Sequence, residues 1–551
     1  MTVLERDGTR GLLHDQVFEA PPARQRALPP GASLRARRVW FAVLGLLGIW
    51  SLVGATRTGE ALVNPGGWTI VRQLIGAATR PERSTEFLTS VLAATGTTIA
   101  YATVGTAVAL AIGTAGGVIT SRVLWAPDPL RAARRPTSAG HRALRASATT
   151  ARGVHEAVWA LVLLSVLGRD PWVAVLAIGL PFGAVTAKVL ADLLDEADQS
   201  PVVALRASGA GRCAALCYGL GPSVVPDLVS YACYRFECAL RASVVLGAIG
   251  AGGIGFELLQ SFQSLRYEEI WTLVYVLCAL ALVVDRGSIF LRRGTADRAL
   301  PLLGASLTAT AMAAWHLDLR LDTFFDGRAR RLLGDLVSDS LPLALPAGGW
   351  RTLAQAMVDT VQMSLVAMIV ATAISGPLAF VAARPRSGGG LARAGSIAAR
   401  GLLLFVRSTP PIIWAFVVLL VVFPGPLPGG LALGLYTAGV LGRLHAEVIE
   451  NADPAASQAL RASGAHALAG FAYGTFPTVA PRLFALTMYR WEVVLRETVI
   501  VGLVGAGGLG RLLAQQNAAR DEAAMLTTIL ALIIAAFVVD FLSSRTRATI
   551  R

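Results

Sequence analysis

The string Ala-Leu-Arg-Ala-Ser-Gly-Ala occupies Ala204–Ala210 and returns at Ala459–Ala465, 255 residues further on (459 − 204). Without a gap, the same offset carries Tyr218 to Tyr473, Pro222 to Pro477, Arg235 to Arg490, Glu237 to Glu492 and Arg241 to Arg496. It then carries the run Gly250-Ala-Gly-Gly-Ile-Gly255 to Gly505-Ala-Gly-Gly-Leu-Gly510, and Asp285 to Asp540. Charged residues kept in register inside apolar sequence mean that the chain is a tandem duplication. Any fold it adopts must be built from two copies of one unit.

Those copies cannot be soluble domains. Of 551 residues, 54% are hydrophobic and only 15% charged, with a mean hydropathy of +0.59, whereas soluble domains carry about 25% charge. The apolar residues fall into blocks long enough to cross a bilayer, which takes about 20 residues of helix. The expectation is an all-α polytopic membrane protein. A polar, arginine-rich tail over 1–38 precedes a first span, Val39–Thr56, read as an uncleaved anchor because the leader is long and no small-residue cleavage site follows. Further blocks lie near 91–120, 154–168, 171–194, 231–259 and 269–291, and again near 299–315, 354–383, 402–423, 427–448, 486–504 and 524–543. This gives about twelve spans in two units, 39–293 and 294–551.

The net charge of +14, almost all arginine with Lys188 the only lysine, lies between the spans. It therefore reads as a topology signal rather than a nucleic-acid surface. Arg131, Arg134, Arg135, Arg142 and Arg145 share their loop with one acid, Asp128; Arg384, Arg386, Arg393, Arg400 and Arg407 share theirs with none. By the positive-inside rule both stretches face the cytoplasm, as do both termini and the Arg292–Arg298 junction. Segments 57–86 and 316–350 then fall outside, the second carrying Asp318, Asp322, Asp326, Asp335 and Asp339. An even number of spans per copy gives both copies the same orientation, related by a twofold axis along the membrane normal. The chain is in effect a fused dimer, with no need of further self-association.

Enzymatic constellations are missing. Cys213, Cys217, Cys233, Cys238 and Cys278 form no CxxC pair and read as small apolar fillers, and the six histidines form no HExxH, so no metal site is expected. The glycine run fits G-x-G-x-x-G with Glu268 and Glu269 downstream, but a membrane span rather than a βαβ unit leads into it. Gly250, Gly252, Gly253 and Gly255, like Gly505, Gly507, Gly508 and Gly510, fit better as sites of close helix approach or bending near a pathway. No GxxxxGK[ST] loop occurs, so the chain binds no nucleotide cofactor of its own.

Two duplicated segments remain for the chemistry. Asp198–Pro226 and Asp453–Pro481 each hold a short amphipathic helix ending in Ser-Gly-Ala on the cytoplasmic side. They read as docking elements, or as interfacial helices that position the next span. Arg235, Glu237 and Arg241, with Arg490, Glu492 and Arg496, lie in the following span, where each charge costs about 2.5–3.5 kcal/mol. Glu237 and Arg241, four apart, share a helix face and can pair. Arg241 and Arg496 are candidates to face the pseudo-twofold axis and offer guanidinium forks to an anion; a structural ion pair or snorkelling to headgroups is the other reading. Trp159 and Trp414, also in register, suit anchoring of the third span.

Ala-Leu-Arg-Ala-Ser-Gly-Ala with proline thirteen residues after its glycine (Gly209 to Pro222, Gly464 to Pro477) resembles the coupling motif of ABC importer permeases. Tyr234-Arg-Phe-Glu-Cys-Ala-Leu-Arg241 and Tyr489-Arg-Trp-Glu-Val-Val-Leu-Arg496, each followed by its glycine run, resemble the phosphonate-type permeases in particular. Where that motif usually opens with glutamate, this chain has Val203 and Gln458. The resemblance implies a type I importer permease fold in a prokaryotic plasma (inner) membrane, with two partner ATPase subunits that bind ATP and magnesium. It also implies an extracytoplasmic binding protein and a phosphonate, phosphite or phosphate ester as cargo. Arg206, Ser208, Gly209 and Pro222, with Arg461, Ser463, Gly464 and Pro477, would be the ATPase-coupling residues. A permease for methionine or another small solute, a self-contained secondary transporter and a membrane-embedded enzyme are the competing readings.

Overall fold

The computed structural model describes residues 32–56, 62–125, 153–292, 295–325, 327–383 and 389–550. Most of the expected tail, and the loop arginines at positions 131–152, 293, 384, 386 and 551, lie outside them. The described chain is helical, and its one β pairing is an antiparallel bridge between Val63 and Val422. In chain order the principal helices of the first copy are α1 (Ala32–Thr56), α2 (Thr85–Thr120), α3 (Glu156–Leu167), α4 (Trp172–Glu196), α5 (Ser200–Ala207), α6 (Arg212–Gly219), α7 (Gly221–Leu246), α8 (Ile254–Gln263) and α9 (Tyr267–Arg292). Those of the second are α10 (Thr295–His316), α11 (Gly349–Ala382), α12 (Gly390–Ser408), α13 (Pro411–Val421), α14 (Pro426–Glu450), α15 (Ala455–Ala462), α16 (Phe476–Val501), α17 (Gly508–Ala519) and α18 (Glu522–Ile550).

Six of the described helices are long and apolar enough to span a membrane alone, and nine spans result if three sharply bent pairs each count once. The expected blocks at 154–168, 299–315 and 427–448 are also helical, as α3, α10 and α14. Two of the expected blocks are not straight helices. The block at 402–423 is bent by 89° between α12 and α13, because Pro410 lacks an N–H and pushes Thr409 into extended backbone. The block at 231–259 is broken at its glycine run, and its span instead starts at Gly221.

Two compact units form, one from residues 1–75 and 342–551, the other from 76–341. Spatial units and sequence copies thus differ by one helix each. α1, the first span of the first copy, packs on α11 and α18, with Phe41 edge-on to Phe484 at 5.6 Å. α10, the first span of the second copy, packs on α2 and α7. The chain following each of these helices is stitched down in the same unit. Asn64 N–H donates to the Val421 carbonyl (2.7 Å) and Phe423 N–H to the Leu62 carbonyl (3.2 Å). In the other unit the Trp172 indole donates to the Arg320 carbonyl (2.8 Å) and the Thr323 hydroxyl to Asp170 (3.1 Å). A long connection follows each first span, so that helix is free to pack in the unit built mainly from the other copy.

Each unit is built around one long parallel pair, α2 with α4 and α11 with α14. Lipid tails are as apolar as leucine, so helices in a bilayer gain by approaching closely over small residues. In the first pair both helices supply them: a Cβ on Gly113 would lie 2.4 Å from Thr186, and one on Gly183 would lie 2.9 Å from Ile112. In the second pair the close-contact glycines come from α14, with Gly430 against Val366 and Gly434 against Val370, each at 2.7 Å. Gly113→Val should therefore cost about 1–3 kcal/mol by overpacking, read as a lower melting temperature of the purified protein in detergent. Gly287→Val, on a helix face where a Cβ would meet nothing within 4 Å, should leave it unchanged.

Candidate functional site

Both copies form the same short helix, α5 and α15, and end it the same way. After α5, Gly209 takes φ +91° and after α15, Gly464 takes φ +92°, a left-handed conformation that only glycine adopts without strain. Ala210 N–H reaches back to the Leu205 carbonyl (3.0 Å) and Gly209 N–H to that of Arg206 (3.1 Å). Ala465 to Leu460 and Gly464 to Arg461, each 3.0 Å, repeat the pattern. This is the Schellman closure, and it explains why Ser-Gly-Ala is kept in duplicate. At the start of α5, Asp198 accepts from the Ser200 hydroxyl and N–H (2.7 and 3.1 Å), which lower its pKa from the usual carboxylate value. Asp453 accepts from Ala455 N–H (3.0 Å) in the second copy.

Ser208, Gly209, Arg461, Ser463 and Gly464 are exposed and Arg206 is half-buried. Beside each helix a large aromatic ring stands out: Tyr218 and Tyr473 are each 79% exposed. Pro222 and Pro477 occupy the first turn of α7 and α16, where a missing N–H costs nothing. The helix is held from behind by Val202, packed with Ala215, Leu216 and Leu220 against Leu190 and Leu194. In the second copy the chain passes so close that a Cβ on Gly474 would lie 2.7 Å from the Ser457 backbone.

The glycine runs bend the chain, by 61° in the second copy. Gly250, Gly252 and Gly253 take φ +123°, +91° and +75°, and Gly505, Gly507 and Gly508 take +103°, +103° and +67°. α8 and α17 then pack back against the spans before them, so tightly that a Cβ on Gly255 would lie 1.8 Å from the Val244 carbonyl oxygen. Two threonines that the sequence reading missed hold these bends. The Thr98 hydroxyl accepts Ile254 N–H (2.9 Å) and the Thr360 hydroxyl accepts Leu509 N–H (2.8 Å). Only the first copy adds a tyrosine, whose Tyr101 hydroxyl donates to the Ala251 carbonyl (2.9 Å). A cavity of about 70 Å³ lies there, lined among others by Tyr101, Arg169, Asp170 and Gly250.

The charged span differs most between copies. In the first, Arg241 pairs with Glu237 at 3.0 Å, as the four-residue spacing predicts. Arg235 donates through Nε to the Tyr231 hydroxyl (2.5 Å), its guanidinium 4.9, 5.2 and 5.4 Å from the ring centres of Tyr231, Phe182 and Tyr234. In the second, Arg490 grips both carboxylate oxygens of Glu497 at 2.9 Å. Glu492 accepts from Arg547 of α18 (2.8 Å) and the Arg496 Nε donates to the Glu492 carbonyl (3.3 Å). Glu497 stands where the first copy has Ala242, and Leu486 and Thr437 stand where it has Tyr231 and Phe182, so the repeated arginines meet different partners.

Trp159 and Trp414 are partly buried, each packed on the core of its own unit. Cys213 and Cys217 are exposed on α6, correcting the expectation of apolar fillers, because α6 lies on the surface with its other face turned inward. Among the described residues no three His, Cys, Asp or Glu side chains are grouped to hold a metal ion.

Two stretches, residues 129–286 and 375–548, each match the family described as binding-protein-dependent transport system inner membrane component. The chain is 30% identical over 413 residues to the phosphate-import permease protein PhnE of Mycolicibacterium smegmatis, covering 72% of this chain and 76% of that one. It is 35% identical over 201 residues to the phosphite transport system permease protein PtxC of Stutzerimonas stutzeri, covering 36% of this chain and 70% of that one. Replacing Thr98 or Thr360 by Val should remove the cap on a buried N–H and cost about 1–2 kcal/mol, seen as a lower melting temperature. Ser in place of either should restore most of it.

Proposed function

The chain belongs to the family of binding-protein-dependent transport system inner membrane components, and on that premise we propose that it is the membrane subunit of an ABC importer with both permease copies in one chain. Its cargo is a phosphorus oxyanion: phosphate, phosphite or a phosphonate. The observation that carries this reading is the double family match in one chain, joined to relatives named for phosphate and phosphite transport.

Two ATPase subunits, which bind the ATP and magnesium, dock on α5 and α15 through Arg206, Ser208, Gly209, Arg461, Ser463 and Gly464, with Pro222 and Pro477 setting the start of the spans behind them. The matching caps and the exposed Tyr218 and Tyr473 support docking at both copies, despite Val203 and Gln458. When the ATPases close on ATP, the two like-oriented copies rock and open toward a loaded extracytoplasmic binding protein; hydrolysis returns them to the inward-facing state. The glycine runs serve as bends near the pathway, and the charged residues of α7 and α16 line or brace it. The setting is a prokaryotic inner membrane with both termini in the cytoplasm.

The test is uptake by proteoliposomes holding this chain, its ATPase and its binding protein. ATP-dependent accumulation of phosphite, phosphate or methylphosphonate is expected. Uptake of methionine instead would overturn the cargo, and transport by the chain without any ATPase would overturn the mechanism. Gly209→Ala and Gly464→Ala, which strain the caps by about 1–2 kcal/mol, should each lower uptake several-fold while the unstimulated ATPase rate is kept.

A further inference from the structure

The two copies treat one arginine in opposite ways. In the second copy Arg490 holds an oxyanion, the Glu497 carboxylate, with both oxygens 2.9 Å from Nη2. In the first copy the equivalent Arg235 has no carboxylate within ion-pair reach among the described residues, because position 242 carries only the methyl of an alanine. The nearby Glu237 is joined to Arg241 at 3.0 Å.

Arg235 is nevertheless tightly placed. It lies fourteen residues into α7, roughly 21 Å along a helix rising about 1.5 Å per residue, and it is half-buried. Tyr231 engages its Nε, and three aromatic rings surround the guanidinium at 4.9–5.4 Å. Ring faces attract a cation without neutralising it. Nε is the edge that the tyrosine takes, and the two Nη nitrogens are the pair that a tetrahedral oxyanion meets with two parallel N–H donors. A guanidinium held rigid by stacking loses little freedom on forming such a contact.

We propose that Arg235 is the anion-contacting residue of the pathway, taking phosphorus oxyanions through its Nη edge, whereas Arg490 is closed off by Glu497 and braces its own unit. The proposal rests on the importer reading above and adds to it a single, one-sided recognition point within a duplicated frame. Glu497 shows in the second copy the kind of group that Arg235 receives in passing in the first.

Three variants of the full chain, assembled with ATPase and binding protein, test this by initial uptake of phosphite and inorganic phosphate. Arg235→Gln should lower uptake at least roughly tenfold, the loss expected for one charged hydrogen-bonded contact, while ATPase stimulation by the loaded binding protein stays within twofold. Arg235→Lys, which keeps the charge and loses the fork, should fall between. Ala242→Glu should give Arg235 an internal carboxylate and reproduce the glutamine variant, with Ala242→Gln as the size-matched neutral control that transports. Because a substitution in the bundle can fail to fold, the wild-type complex is also treated with phenylglyoxal. Millimolar phosphite should protect Arg235 from modification, seen by peptide mass spectrometry, and millimolar chloride should not.

Uptake by Arg235→Gln within twofold of wild type, or Arg235 modified equally with and without phosphite, overturns the proposal. So does loss of binding-protein-stimulated ATPase in step with uptake, the mark of a structural role. If the wild type itself moves no phosphorus oxyanion, the importer reading of the cargo fails and this inference falls with it. If the wild type transports and Arg235→Gln does too, the inference fails alone.

Discussion

Water is scarce inside an apolar helical bundle, so a charge placed there must be matched by the protein or by what passes through it. The spans α7 and α16 carry arginine, glutamate and arginine at identical spacing, and the architecture around them follows from how those charges are matched. The first copy matches them locally, with Glu237 and Arg241 one helical turn apart. The second reaches to Glu497 and to Arg547 of α18. Substitutions around the motif, alanine against glutamate at 242 and 497, Tyr231 against Leu486 and Phe182 against Thr437, turn equal sequence motifs into unequal sites.

Backbone placement is more symmetric than the charges. Both copies end the short helix α5 or α15 with a left-handed glycine, and both bend the chain at three positive-φ glycines capped by a threonine. Both also dock the segment after the exchanged first span in the unit built mainly from the other copy. Elements that need a particular backbone shape have stayed alike since the duplication, because only glycine, proline or a short hydroxyl side chain satisfies them. Elements that need only a matched charge have been free to find different partners.

The same distinction explains what could be read from the sequence. The helical class, the duplication and the repeated short helix were legible because each is a local pattern: apolar block length, a fixed offset, Ser-Gly-Ala at a helix end. The Glu237–Arg241 pair was legible from its four-residue spacing. The bend at Thr409–Pro410 was written in its prolines, yet hydropathy smoothed it into one block. Partners far apart in sequence, Thr98 with Ile254, Thr360 with Leu509 and Glu492 with Arg547, leave no local signature. Nor does the packing of α1 on α11, since hydropathy shows that a helix spans but not which neighbour it meets.

The central claim is that two like-oriented copies each present a docking helix to the same side of the membrane. Single cysteines at Ser208 and at Ser463, in a chain whose five native cysteines have been replaced, test it by labelling with an impermeant maleimide in sealed vesicles of known orientation. The account predicts that both positions react in inside-out vesicles and that neither reacts in right-side-out ones. Labelling of the two positions from opposite sides would contradict it.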